Sequence, residues 1–495
     1  MKKGISLLLA TIMTFMAVPV MAVEFEEEQY FDFYGYEVSK EIDDEIELME
    51  VEDSVYEEFE RRLIEAWTNI EGYNPDERDL PSELSVYIGD LRIEKEDIYI
   101  YSKTVRENPR FFYVQTGFGG ATVKGKTYMG YITPKYTETD KSVIEKTWAE
   151  IDKAVEEILL YISPEMTDFE KIMTVHDYMD VHYVYDKADT DQTYRILLDK
   201  RGVCAAYAEA FQHLMNVLGI ESTVVTSDEM KHMWNLVKVG KWWYHIDVTG
   251  DDPVPDQFAY VCHEHVLLSQ KAIEAMEYFG FTTANNALSI EYDKAPWRYE
   301  KCAIAVIDGV MYRKDGNNIV DENDNIIYKK LDGGDGIWNL RKGAGIEGDV
   351  FAGICEINGV LYFNTDTGIM SYEPKTKEIK TVVSDYGICG IFAERNTIQY
   401  NTYDFEQELF IKKGEVKVSD ICLGEPYYED GKAVVRLYNG YDMPVFVISE
   451  GDEYRMQKIE ADSIGTARFE NGAEQRIFIW TESLEPAFED FIMTE

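Results

Sequence analysis

His232-Met233-Trp234-Asn235-Leu236-Val237-Lys238-Val239-Gly240-Lys241-Trp242-Trp243-Tyr244-His245-Ile246-Asp247-Val248-Thr249 reads as two strands about a tight turn. Gly240 followed by Lys241 suits the central pair of a type II′ hairpin. With that pair at the centre, residue numbers that face each other sum to 481, so Trp234 faces Asp247 and His232 faces Thr249. Side chains alternate with a period of two, which puts His232, Trp234, Trp243, His245 and Asp247 on one face. His232 and Asp247 become diagonal neighbours, with Cα atoms roughly 7–8 Å apart, within reach of a histidine–carboxylate hydrogen bond.

Upstream, Gly202-Val203-Cys204 opens an apolar helical pattern through Ala208, Phe211, Leu214, Met215 and Leu218, which Gly219 closes. Cys204 therefore falls in the first helical turn, where free backbone N–H groups and the positive dipole end favour thiolate. All seven histidines lie between 176 and 265, so the side chain best suited to proton transfer near neutral pH is confined to this region. Cys204 as nucleophile, His232 as base and Asp247 as its orienting carboxylate make a complete set for thiol catalysis. His245 shares the face but lies deeper in its strand, between Tyr244 and Ile246, where packing is its expected role. His176 is expected as a satisfied core histidine. It stands on a helix announced by the capping box Thr167-Asp168-Phe169-Glu170, on a face with Phe169, Ile172, Met173 and Met179.

Cys262-His263-Glu264-His265 has metal-ligand residue types, but strand neighbours point to opposite faces and a second ligand pair is missing, so no metal is expected. Asp321-Glu322-Asn323-Asp324-Asn325 lacks the glycine and final glutamate of a calcium loop and reads as a polar turn. Phosphate-loop, dinucleotide and Gly-x-Ser-x-Gly signatures are absent, so no cofactor is expected. The six cysteines are too few and too dispersed for a disulfide scaffold.

The chain's 94 acidic against 48 basic residues leave a net charge of −46, which disfavours nucleic acid and acidic polymers as partners. Hydrophobic residues make up 45%, enough for packed cores. Lys2-Lys3, the apolar run Ile5–Val20 and Val20-Met21-Ala22 read as a secretory leader over 1–22, cleaved before Val23. The mature protein is expected to be exported and to have no membrane span. An acidic, poorly ordered segment follows over 23–53, then an α/β domain over 54–162. That domain has helices near 54–71 and 142–162, and a strand at Phe111–Gln115 after the Asn108-Pro109 turn. The histidine-bearing domain covers 163–290. A β-rich region over 291–420 repeats Gly309-Val310-Met311-Tyr312 as Gly359-Val360-Leu361-Tyr362, with a weaker copy at Asn396–Tyr400. Residues 421–495 read as a sandwich-like module.

Three ordered motifs, Gly202-Val203-Cys204 with Tyr207-Ala208, His232–Val237 and Trp243–Thr249, resemble the transglutaminase-like superfamily. Val175-His176-Asp177-Tyr178 and Tyr185-Asp186 add to the likeness, which spans roughly 165–275. Asn108–Tyr113 is a weaker match. The resemblance implies an α+β chain with a papain-like cysteine-enzyme core and assigns Cys204, His232 and Asp247 as its triad. Relatives often carry Trp before Asp-Asp-Pro, whereas Gly250 stands there in this chain. The implied activity is cleavage or transfer at amide or peptide bonds of a protein or peptide substrate, through an acyl-thioester. The alternative is a surface-binding protein with an inactive core, whose β-rich modules do the recognising. The same modules are the candidates for cell-wall or surface contact.

Overall fold

The computed structural model describes residues 29–31, 53–66, 85–94, 99–124, 127–187, 193–283, 285–331, 352–404, 409–451, 453–470 and 474–494. The expected leader and most of 23–53 lie outside them; within that segment Gln29–Phe31 pairs antiparallel with Val114–Lys124. Two compact units result, one of residues 1–152 with 191–198, the other of residues 153–190 with 199–495.

In the first unit the sheet runs Gln29–Phe31, Val114–Lys124, Tyr128–Tyr136 and Val86–Tyr87 in spatial order. Phe59 and Leu63 of helix Asp53–Ala66, and Ile100 of helix Tyr99–Glu107, are buried against Tyr113 and Ile132. The strand expected at Phe111–Gln115 starts later, at Val114, because Asn108 caps a single 3₁₀ turn. The Asn108 side chain accepts the Arg110 N–H at 3.0 Å, and Pro109 occupies the first helical position.

The second unit opens with helix Asp168–His182, whose capping box between Thr167 and Glu170 is formed in both directions. This helix is buried nearly all round, not on one face, since Asp177, Tyr178 and Asp180 are sealed along with Ile172, Met173 and Met179. Helix Cys204–Val217 follows and ends in paired bonds from Gly219 N to Asn216 O (3.1 Å) and from Ile220 N to Met215 O (2.9 Å). Such bonds satisfy carbonyls that would otherwise be orphaned at the helix end. It packs on the three-stranded antiparallel sheet Ser222–Ser227, His232–Val239 and Trp242–Ile246. Asn235, buried on the helix side, donates to Ala208 O at 2.9 Å.

The hairpin register is the one anticipated: Asn235 pairs with Ile246, Leu236 with His245, Val237 with Tyr244 and Val239 with Trp242. Gly240 has φ 58°, and Lys241 is not among the residues with positive φ, as the type II′ turn demands. Beyond residue 300 come three antiparallel meanders, beginning at Ala305, Ile354 and Ile388. Each copy of the repeated motif opens the second strand of its meander. The turns Asp308-Gly309 and Asn358-Gly359 have positive φ at both residues (51° and 72°, 56° and 76°), the backbone of a type I′ hairpin. Two four-stranded sheets then enclose Ile421, Val435, Leu437, Val445, Val447, Ile477 and Ile479. Among the described residues no helix is long and apolar enough to cross a membrane.

Candidate active site

Cys204 is the first residue of its helix, and Val203 before it offers no capping side chain, so the N-terminal amides stay available. Asn235 fixes the helix through Ala208, one turn beyond the thiol, and His232 begins the same strand. The result is a hydrogen bond between Cys204 and His232, with further donation to sulfur from the Met233 and Ala205 N–H groups. Burial pushes the Cys204 thiol up, but the His232 bond and charge and the two amides outweigh it, leaving it below its ordinary 9.0. For His232, burial opposes the charge, yet bonds to Asp247 and Cys204 carry the imidazole up to about 10. Both shifts run in the direction that favours thiolate beside imidazolium.

His232 Nε2 lies 2.6 Å from Asp247 Oδ2, which leaves Nδ1 for the thiol. The His232 side chain is 19% exposed and that of Asp247 1%, so the ring reaches solvent while its carboxylate partner stays sealed. Asp247 also caps the short helix Val248–Asp251 by accepting the Gly250 N–H at Oδ1 (3.1 Å). Its Oδ2 takes a second donor, the Tyr278 hydroxyl, at 2.6 Å. Tyr185 borders the pair; burial, then the charges of Cys204 and Asp247, raise its hydroxyl above the ordinary 10.0.

His245 is placed as a packing residue. It is fully buried, its Nδ1 accepts the Trp234 indole N–H at 3.0 Å, and Nε2 faces Gln270 Oε1 at 3.0 Å. Burial lowers its pKa from 6.5, and both ring nitrogens are already engaged by Trp234 and Gln270.

His176 is buried and satisfied, but not in the apolar setting its neighbours in sequence imply. Nδ1 meets Asp177 Oδ1 at 3.0 Å and Nε2 meets Asp251 Oδ2 at 3.3 Å, so both nitrogens donate and the ring is imidazolium. Burial opposes that charge, and the two carboxylates overcome it, raising the pKa to about 10. His263 Nε2 reaches the same Asp177 oxygen at 2.8 Å, and His265 Nδ1 reaches Asp251 Oδ1 at 2.9 Å. Residues 261–264 form no strand; buried Arg298 holds this irregular loop by donating to His263 O, Glu264 O and Val266 O. Side chains of the Cys262–His265 run accordingly diverge, with Cys262 and Glu264 both on Lys301. Ligand atoms of His176, Asp177 and His263 lie within 4.8 Å of one another, as a metal site requires. Their contacts at 2.8 and 3.0 Å are those of hydrogen bonds carrying protons, which account for the cluster. All six cysteines are free, and every one except Cys204 is buried.

Residues 156–248 match the family model described as the transglutaminase-like superfamily. The chain carries a transglutaminase-like domain. None of the curated proteins matches the sequence. Among solved structures, a candidate cysteine protease from Cytophaga hutchinsonii is similar at 15% identity over 26% of this chain and 54% of its own, with a TM-score of 0.18. The extracellular domain of a candidate one-component system from B. thetaiotaomicron is similar at 10% identity over 52% of this chain and 42% of its own, with a TM-score of 0.17. The chain thus spans about half the length of these structures.

Two residues past the matched segment, Gly250 has a local cause. A Cβ there would stand 3.0 Å from the His265 ring and 3.1 Å from Asp247 Oδ2, so a side chain at this position must push one of the two aside. Gly250→Ala should displace the Asp247 carboxylate by a few tenths of an ångström and slow alkylation of Cys204 roughly threefold to tenfold. An unchanged rate constant with iodoacetamide would show that the carboxylate tolerates the push.

Proposed function

We propose that this chain is an exported cysteine enzyme that opens amide or peptide bonds through an acyl-thioester on Cys204. The observation that carries the reading is the hydrogen-bonded chain Cys204–His232–Asp247, with the thiol lowered and the imidazole raised in pKa. Cys204 thiolate attacks the carbonyl carbon, and the oxyanion that forms lies at the helix start, where the uncapped amides can receive it. His232 passes a proton from Nδ1 to the departing amine as the C–N bond breaks, and Asp247 keeps Nε2–H oriented. The thioester is then discharged to water, with His232 as base, or to an amine acceptor. Hydrolysis and transfer use the same residues and differ in what the groove admits. A protein or peptide substrate fits a chain of net charge −46, which repels nucleic acid. Export rests on Lys2-Lys3 and the apolar run Ile5–Val20.

The first test is alkylation of the full chain by iodoacetamide at pH 6, with the modified peptide identified by mass spectrometry. An activated Cys204 should react about tenfold faster than free cysteine, because its larger thiolate fraction outweighs its lower intrinsic nucleophilicity. A rate equal to that of free cysteine would return the domain to the role of an inactive scaffold.

A further inference from the structure

We infer that Tyr278 is a positioning residue that sets how firmly His232 holds its proton. This inference rests on the cysteine-enzyme reading and deepens it. Tyr278 lies outside the segment matched to the family model, just past helix Gln270–Ala275. Glu277 before it adopts φ 68°, a left-handed conformation that a side-chain-bearing residue rarely takes and that turns the chain back toward the site. Tyr278 is buried, with its ring edge-on to Trp234 (centroids 5.2 Å apart) and to His232 (5.9 Å), and tilted against His265 (5.9 Å).

Asp247 Oδ2 thus receives two short bonds, 2.6 Å from His232 Nε2 and 2.6 Å from the Tyr278 hydroxyl. Burial and the adjacent carboxylate hold the phenol far above its ordinary pKa, so it remains a donor throughout. A donor on that oxygen draws off part of the charge that would otherwise stabilise the imidazolium. Carboxylate orientation does not depend on Tyr278 alone, since Gly250 N–H holds Oδ1 at 3.1 Å. Losing the hydroxyl therefore leaves the geometry in place while concentrating charge on Oδ2. His232 then keeps its proton to higher pH and delivers it less readily to a leaving amine.

Iodoacetate tests this directly, because the anion is drawn by the imidazolium and its reaction slows where His232 loses its proton. The other five cysteines are buried, so Cys204 dominates the signal in the folded chain. Tyr278→Phe keeps the ring and its packing. In the full chain it should move the alkaline limb of Cys204 alkylation upward by about half a pH unit or more, with an unaltered melting temperature. Placing 3-fluorotyrosine at position 278, a stronger donor, should move the limb downward. A limb unmoved in both proteins, beside a wild type that shows one, overturns the role given to Tyr278. A wild type with neither a limb nor low-pH reactivity overturns the cysteine-enzyme reading itself, so the two failures are distinct.

Discussion

Replacing His232 by alanine should slow acylation of Cys204 by about three orders of magnitude, and Cys204→Ala should leave no acyl-enzyme at all. The size of the first effect follows from two losses at once. Without the imidazole, burial of Cys204 is opposed only by the Met233 and Ala205 amides, so the thiol titrates upward and thiolate becomes scarce. The leaving amine also loses its proton donor. Asp247→Asn should be milder, about tenfold to a hundredfold. An amide oxygen can still accept from Nε2 and from Tyr278, but the amide NH₂ must then face Gly250 N–H, now 3.1 Å from Oδ1, and the imidazolium has no neighbouring negative charge. Stopped-flow release of a chromophore from an activated ester reads all three variants. An order other than Cys204→Ala, His232→Ala, Asp247→Asn in severity would contradict the roles assigned.

Asp177→Ala should destabilise the second unit by about 3–5 kcal/mol, the cost of stripping one partner from a buried charge. Asp177 is sealed and accepts three bonds, from His176 Nδ1 (3.0 Å), His263 Nε2 (2.8 Å) and the Ile304 N–H (2.7 Å). Alanine leaves that amide unbonded and the His176 imidazolium with Asp251 alone. Urea unfolding followed by tryptophan fluorescence measures the loss, and a change under about 1 kcal/mol would mean that the network relaxes around the gap. Its pH dependence has a definite sign. His176 is raised to about 10 from 6.5, so its contribution is complete below 6.5 and is lost as pH rises through 10. Asp177 is lowered because the two histidines outweigh its burial. Its contribution is complete above 3.8 and is lost as pH falls below that. Between roughly pH 4 and 6.5 both are present, and there the wild type should exceed Asp177→Ala by the most.

Neither Tyr278 nor the His176–Asp251 pairing could be read from local pattern. Tyr278 reaches Asp247 across a separation of 31 residues, from the end of a helix that carries no part of the recognisable motifs. Its one local sign is a lone tyrosine after Glu277, which is common in any chain. His176 stood in an apolar stripe by periodicity, and only packing brought Asp251 to its second nitrogen, 75 residues away. Of the seven histidines confined to residues 176–265, four fall into two separate networks, His232 with Asp247, and His176, His263 and His265 with Asp177 and Asp251. Strand alternation was the wrong premise for Cys262–His265, because Arg298 holds that stretch as an irregular loop.

The sequence by itself determined the hairpin about Gly240-Lys241 and its register, the helix that starts at Cys204, and the shared face of His232 and Asp247. Those features depend on neighbours within a turn or a strand, where backbone sterics and period-two alternation leave few alternatives. Only the tertiary structure decided the distance between helix and strand, the second donor on Asp247 and the charge state of His176. Each of these is set by side chains far apart in the chain meeting in a sealed interior. There the cost of an unpaired polar group selects the partner, and sequence separation plays no part.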